Sequence, residues 1–190
     1  NKVLLNRQSR RQIKAIILVH LYGQSVDLAP ILVVAKEYGI KVIEDCAQSH
    51  LATYGDSNTG TFGDVGCFSF YPSKNLGACG EGGALVTNDA EVALKVRMLR
   101  DHGQKKKYYH EGVGYNYRMD GFQGAILNVK LKHLMRWNEQ RRKLAKVYSR
   151  LLSGMRDVKP PKERPESTHI FHLYVVRIKS RDEVIKFLEE

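Results

Sequence analysis

Cysteine is scarce in this chain: Cys46, Cys67 and Cys79 are its only three among 190 residues. An odd, sparse set inside apolar segments excludes a disulfide framework and points to a reducing compartment. Long apolar runs are missing too, and no signal peptide is visible, so a membrane span is not expected. Together these absences predict a soluble, cytoplasmic protein. Acid is in deficit, with 20 acidic against 31 basic residues, for a net charge of +11. The surplus gathers at 105–107 and along 130–150, where it reads as a solvated helix face. No RNP-like or zinc-finger pattern accompanies it, so no nucleic-acid partner is expected. The seven histidines are scattered. His169 and His172, three apart in an expected strand, would face opposite sides, so no metal site is expected. Also lacking are G-x-x-x-x-G-K-[ST], G-x-G-x-x-G and G-x-S-x-G, which removes three familiar nucleotide and hydrolase readings.

What is present alternates between strand and helix. AIILVH at 15–20 is a continuous apolar run, as for a parallel strand covered on both faces. Asp27 as N-cap, Pro30 in the first turn and Gly39 at the end bracket a helix with Leu28, Ile31, Leu32 and Ala35 in one stripe. KVIED at 41–45 completes a βαβ unit. A turn-rich stretch at 55–64 leads to a strand at 65–71, where Ser69 and Tyr71 share one face. A short strand at 84–87 precedes a helix capped by Asp89, with Val92, Val96 and Leu99 on one face. Residues 105–118 read as a loop. Asp120 with Gln123 forms a capping box that opens one long helix, with a possible break near His133. Three of the five prolines fall in KPPKERPE at 159–166, a boundary. A strand at 170–178 and a helix opened by Ser180 and Glu183 follow.

Two polar residues stand at strand ends. Asp45 closes one apolar strand, and Lys74 lies just past another in SFYPSKNLGACGEGG. Ligands in open α/β sheets sit outside the carboxyl ends of strands. Each residue has an ordinary reading as well, a turn aspartate and a loop lysine. Jointly they suit pyridoxal phosphate, which needs an amine for an imine, a carboxylate at the pyridine nitrogen, and phosphate donors. Ser69 could bind the phosphate and Ala47 could pack under the ring. The glycines after Lys74 allow tight turns near a ligand, or mark a plain hairpin.

VHLYGQ (19–24), VIEDCAQSH (42–50), GTFGDVGCFSFYPSKNLGACGEGGALVTND (60–89) and GYNYRMDGFQGAIL (114–127) closely resemble the DegT/DnrJ/EryC1/StrS sugar aminotransferases. These are fold-type-I enzymes that depend on pyridoxal 5'-phosphate. The resemblance implies an α/β large domain, a mostly parallel sheet sandwiched by helices, plus the start of a small α+β domain. It divides the chain into a tail or truncated end (1–12), a partial cofactor-binding domain (13–128), a connecting helix (129–158) and a truncated small domain (159–190). Lys74 matches the lysine that holds the cofactor as an imine and moves the substrate proton. Asp45 matches the partner of the pyridine nitrogen, Gln48 a residue near the ring hydroxyl, and Ser69 a phosphate ligand. Asn116 matches an asparagine that reaches the phosphate in the neighbouring subunit, which implies a homodimer with shared active sites.

The implied reaction moves an amino group, with glutamate as donor and 2-oxoglutarate as product, to a nucleotide-linked keto-sugar. Such products feed surface polysaccharides or antibiotics. The family's N-terminal Gly-Thr phosphate loop is missing, so this stretch alone is expected to bind the cofactor poorly. Leu51 stands where the family usually has glycine, which bears on packing beside the cofactor. Two rivals are a non-catalytic fragment of the same fold and a dehydratase relative. The dehydratases replace the lysine with histidine, and Lys74 argues against that reading.

Overall fold

A computed structural model describes residues 13–190. The expected tail at 1–12 lies outside the described residues. Four strands form the main sheet, in the order β1 (Ala15–Val19), β2 (Lys41–Asp45), β5 (Val65–Ser69), β6 (Gly83–Val86). The first three are parallel and β6 runs antiparallel to β5. Between β2 and β5, β3 (Thr53–Tyr54) and β4 (Ser57–Asn58) pair with β10 (Ser167–Thr168) in a second small sheet. Helix α1 (Leu28–Tyr38) joins β1 to β2. Its expected stripe packs as read: Leu28 and Ala35 are buried with Leu18, Ile40 and Val42, and Ile31 and Leu32 close against them. Gly39 ends the helix at φ 62°, a conformation open to glycine without strain.

Several expectations need correction. The first strand is covered on one side only by the described residues: Ile17 is 65% and Val19 43% exposed. Asp27 occupies the N-cap position of α1 but caps nothing; its carboxylate instead accepts from the Tyr54 hydroxyl at 2.9 Å. The strand expected at 65–71 stops at Ser69; Phe70 donates to the Gly82 carbonyl, and its own carbonyl accepts from Ala78 of the following loop. The loop expected at 105–118 contains a small hairpin, β7 (Gln104–Lys106) with β8 (Tyr109–His110).

Helix α2 (Ala90–Arg100) is capped as read, with Asp89 accepting from the N–H groups of Glu91 and Val92. Helix α3 (Gly121–Leu151) runs unbroken through His133 for 31 residues. Asp120 caps it, yet only half the capping box forms, since the Gln123 side chain accepts from Cys79 instead.

No strand spans 170–178. Phe171 adopts φ 47°, and the segment gives its backbone donors to the turn at Leu21–Gly23: Ile170 N–H to the Gly23 carbonyl at 2.9 Å, Leu173 N–H to that of Tyr22 at 3.4 Å. Only β11 (Arg177–Ile178) is extended and paired there, with β9 (Val158–Lys159). Ser180 precedes α4 (Arg181–Leu188) without a side-chain cap. No helix among the described residues is long and apolar enough to cross a membrane.

Candidate active site at the strand ends

The sheet register brings the expected residues to one edge. Asp45 pairs with Val19 of β1 on one side and Cys67 of β5 on the other. Ser69 is two residues beyond Cys67, at the end of β5. The carboxyl ends of three parallel strands therefore meet around Asp45, as open α/β sheets arrange for ligands. Asp45 is half-buried, and its Oδ1 accepts from the Ala47 N–H at 3.0 Å, which fixes the carboxylate. Gln48 is tied to the turn after β1, its Oε1 accepting from the Tyr22 N–H at 2.6 Å. That turn is strained at Tyr22, φ 61°. The Ser69 hydroxyl accepts from the Tyr71 N–H at 3.3 Å, leaving its proton to donate elsewhere.

Lys74 sits half-buried in a turn closed by its N–H on the Tyr71 carbonyl at 2.9 Å. Among the described residues its amine makes no ion pair or hydrogen bond. A half-buried amine without a partner, in the turn that follows the strand neighbouring a fixed carboxylate, is the donor set that a pyridoxal ring requires, so the residues present fit that group.

The glycine-dense stretch packs against protein. A Cβ at Gly77 would overlap the Pro72 carbonyl; one at Gly80 would meet the Gln123 side chain at 3.0 Å, and one at Gly82 the Met119 sulfur at 2.8 Å. Three residues of α3 hold this loop from one side. Gln123 accepts from the Cys79 N–H, Lys130 donates to the Gly77 carbonyl, and Asn138 accepts from the Asn75 amide at 2.8 Å.

Asn116 lies apart. It is exposed and bridged to Asp101 after α2, and no recorded contact joins it to Asp45, Ser69 or Lys74.

Sequence reasoning missed the polar groups that build the frame. Glu44 is fully buried and accepts four hydrogen bonds: from His20 Nε2 at 2.9 Å and from the N–H groups of Gly60, Phe62 and Gly63 at 2.7–2.8 Å. Burial pushes its carboxyl up, and the His20 and backbone donors more than reverse this, leaving it below the usual range. His20, Glu44 and Cys46 cluster closely enough for a metal. Glu44 is saturated by donors, however, and burial pushes the Cys46 thiol up to about 12, so the cluster reads as a lock on the 60–63 turn. The available signal was a glutamate inside an apolar strand, which must find partners when buried.

His50 was missed as well. It is 3% exposed, and neither ring nitrogen has a hydrogen-bond partner of ordinary geometry. Its ring lies 5.5 Å from that of Phe68 and 5.9 Å from that of Phe70. Burial pushes the imidazole down to about 4, the Ser69 backbone opposing and the His172 and Lys74 charges assisting. Asn75, Asn138 and His172 form a buried polar chain: His172 Nδ1 lies 3.0 Å from Asn75 Oδ1, and Asn138 Nδ2 donates to the His50 carbonyl at 2.9 Å.

A family model described as the DegT/DnrJ/EryC1/StrS aminotransferase family matches residues 4–190. The chain is 51% identical over 179 residues to a pleiotropic regulatory protein of Geobacillus stearothermophilus, covering 93% of this chain and 48% of that one. It is 46% identical over 171 residues to UDP-N-acetyl-3-dehydro-alpha-D-glucosamine 3-aminotransferase of Acidithiobacillus ferrooxidans, covering 90% and 46%. Among solved structures, DesV of S. venezuelae in complex with a ketimine intermediate superposes with a TM-score of 0.90 at 42% identity, covering 93% and 47%. The chain spans about half the length of the curated relatives it matches.

Proposed function

Because the chain belongs to the DegT/DnrJ/EryC1/StrS aminotransferase family, we propose that it carries the catalytic lysine of a pyridoxal-phosphate-dependent aminotransferase acting on a nucleotide-linked keto-sugar. One observation carries this reading: Asp45 and Ser69 close adjacent parallel strands, and the unpaired amine of Lys74 follows in the next turn. When bound, the cofactor supplies an electron sink for a carbanion at the substrate carbon.

The chain's own residues have distinct roles. Lys74 offers the nucleophilic amine and then carries the proton to and from the reacting carbon. Asp45, held by the Ala47 N–H, presents its other oxygen to a ring N–H and keeps that nitrogen protonated. Ser69 donates its hydroxyl proton to the phosphate. Gln48, its oxygen occupied by Tyr22, presents its amide N–H to the ring hydroxyl. Ala47 supports the ring face. Asn116, exposed and bridged to Asp101, reaches the phosphate of a neighbouring subunit, so the active unit is a homodimer. Glutamate serves as amino donor, and the cytoplasm as compartment. The +11 charge favours a diphosphate-bearing substrate, within the limits of salt screening.

Borohydride reduction with pyridoxal phosphate in large excess, which offsets the weak binding expected of this stretch alone, followed by peptide mass mapping, tests the reading on this chain and on Lys74→Ala. A cofactor-sized mass confined to the Lys74 peptide and lost in the variant is expected. Label spread over surface lysines and unchanged in the variant would overturn it.

A further inference from the structure

The polar chain behind Lys74 has a direction that chemistry alone assigns. The His50 carbonyl can only accept, so the Asn138 amide must turn Nδ2 toward it. Asn138 Oδ1 then accepts from Asn75 Nδ2. This leaves Asn75 Oδ1 facing His172 Nδ1 at 3.0 Å, and an amide oxygen only accepts. His172 must therefore carry a proton on Nδ1. Both amide orientations and the histidine tautomer follow from one backbone carbonyl.

The three side chains come from three places in the fold: the residue next to Lys74, the middle of α3, and the segment after β10. All three are buried, where a missing partner leaves a costly unsatisfied group. The charged groups near His172 are Lys74 and Arg141, and the Arg141 guanidinium donates to the Phe171 and His172 carbonyls at 3.2 and 3.3 Å. Burial, then these two charges, push its imidazole down, so one neutral tautomer persists at neutral pH.

We propose that His172 is a positioning residue for Lys74: its Nδ1–H, acting through Asn75 and Asn138, seats the turn that carries the lysine against the long helix. The catalytic consequence rests on the aminotransferase reading; the tautomer and the seating do not.

Two measurements test it. Nitrogen-15 NMR of the histidine rings in this chain at neutral pH is expected to show His172 protonated on Nδ1 and bare on Nε2. The opposite tautomer, or exchange between the two, overturns the proposal. The second uses variants. Asparagine at 172 places an amide N–H near the Nδ1 position, whereas leucine supplies no donor. Borohydride trapping at Lys74 is expected to stay within about twofold of the parent in His172→Asn and to fall about tenfold in His172→Leu, as for loss of one buried hydrogen bond. Equal trapping in the two variants overturns the positioning role. Should His172→Leu fail to fold, the tautomer of the parent chain still decides. Should the parent itself not label at Lys74, the aminotransferase reading fails while the tautomer result stands.

Discussion

Leu51 shows what a single residue reveals about this site. It adopts φ 65°, in the left-handed region, while 37% exposed. A side chain there costs about 1 kcal/mol that glycine avoids. The resemblance leads to an expectation of glycine at this position, and a left-handed backbone is one that glycine adopts without strain. Leu51→Gly is expected to melt higher than Leu51→Ala, by about 1 kcal/mol, since both lose the side chain and only alanine keeps the strain. Equal melting temperatures would refute this. The histidines give a second prediction. Burial pushes His50 and His169 down to about 4. In the unfolded chain each titrates near 6.5. Between these values the unfolded state binds protons that the folded state refuses, so stability falls as pH drops from about 6.5 to about 4. A loss on the order of 2 kcal/mol per histidine is expected. Urea midpoints measured from pH 7 to pH 4 check it, and a flat profile would contradict it.

At the scale of elements, the loop between β5 and β6 and the helix α3 work as one unit. Gln123, Lys130 and Asn138 recur every two turns of the helix and meet Cys79, Gly77 and Asn75 in reverse order. Gly77 is needed for close approach to the Pro72 carbonyl. Gly77→Ala is expected to cost roughly 2 kcal/mol or more, because backbone must move. It should also reduce cofactor trapping at Lys74, three residues away. A melting temperature within a degree of the parent would exclude this account. These contacts explain what could be read beforehand. Local signals sufficed where a residue acts on its own segment: Gly39, Asp89 and Asp120 end or open their helices as read. They failed where a distant partner competed. Asp27 and Gln123 left their expected capping bonds for Tyr54 and Cys79. The 170–178 strand failed because its donors go to the turn at 21–23, about 150 residues earlier. The places of Asp45 and Ser69 in the fold were legible because strand ends are. Glu44, His50 and the Asn75–Asn138–His172 chain were not, since their meaning lies wholly in contacts between segments.

For the whole molecule, β1 and β6 form the two edges of the main sheet, and β1 leaves Ile17 and Val19 open on one face. Asn116 sits on the surface beyond α2. The shared-site reading makes a direct prediction. Purified mixed dimers of Lys74→Ala and Asn116→Ala chains are expected to hold one intact site in two, and so to recover about half the parent activity. Each variant alone should be nearly inactive, and no recovery in the mixture would rule out sharing. The bond between His172 and Asn75 joins residues 97 apart. A chain made from its amino end therefore exposes Lys74 to the solvent long before the residue that seats it has been synthesised. The turn that carries Lys74 gains this contact only after 97 further residues have been made, so the same bond that orders the turn also sets when that order can first appear.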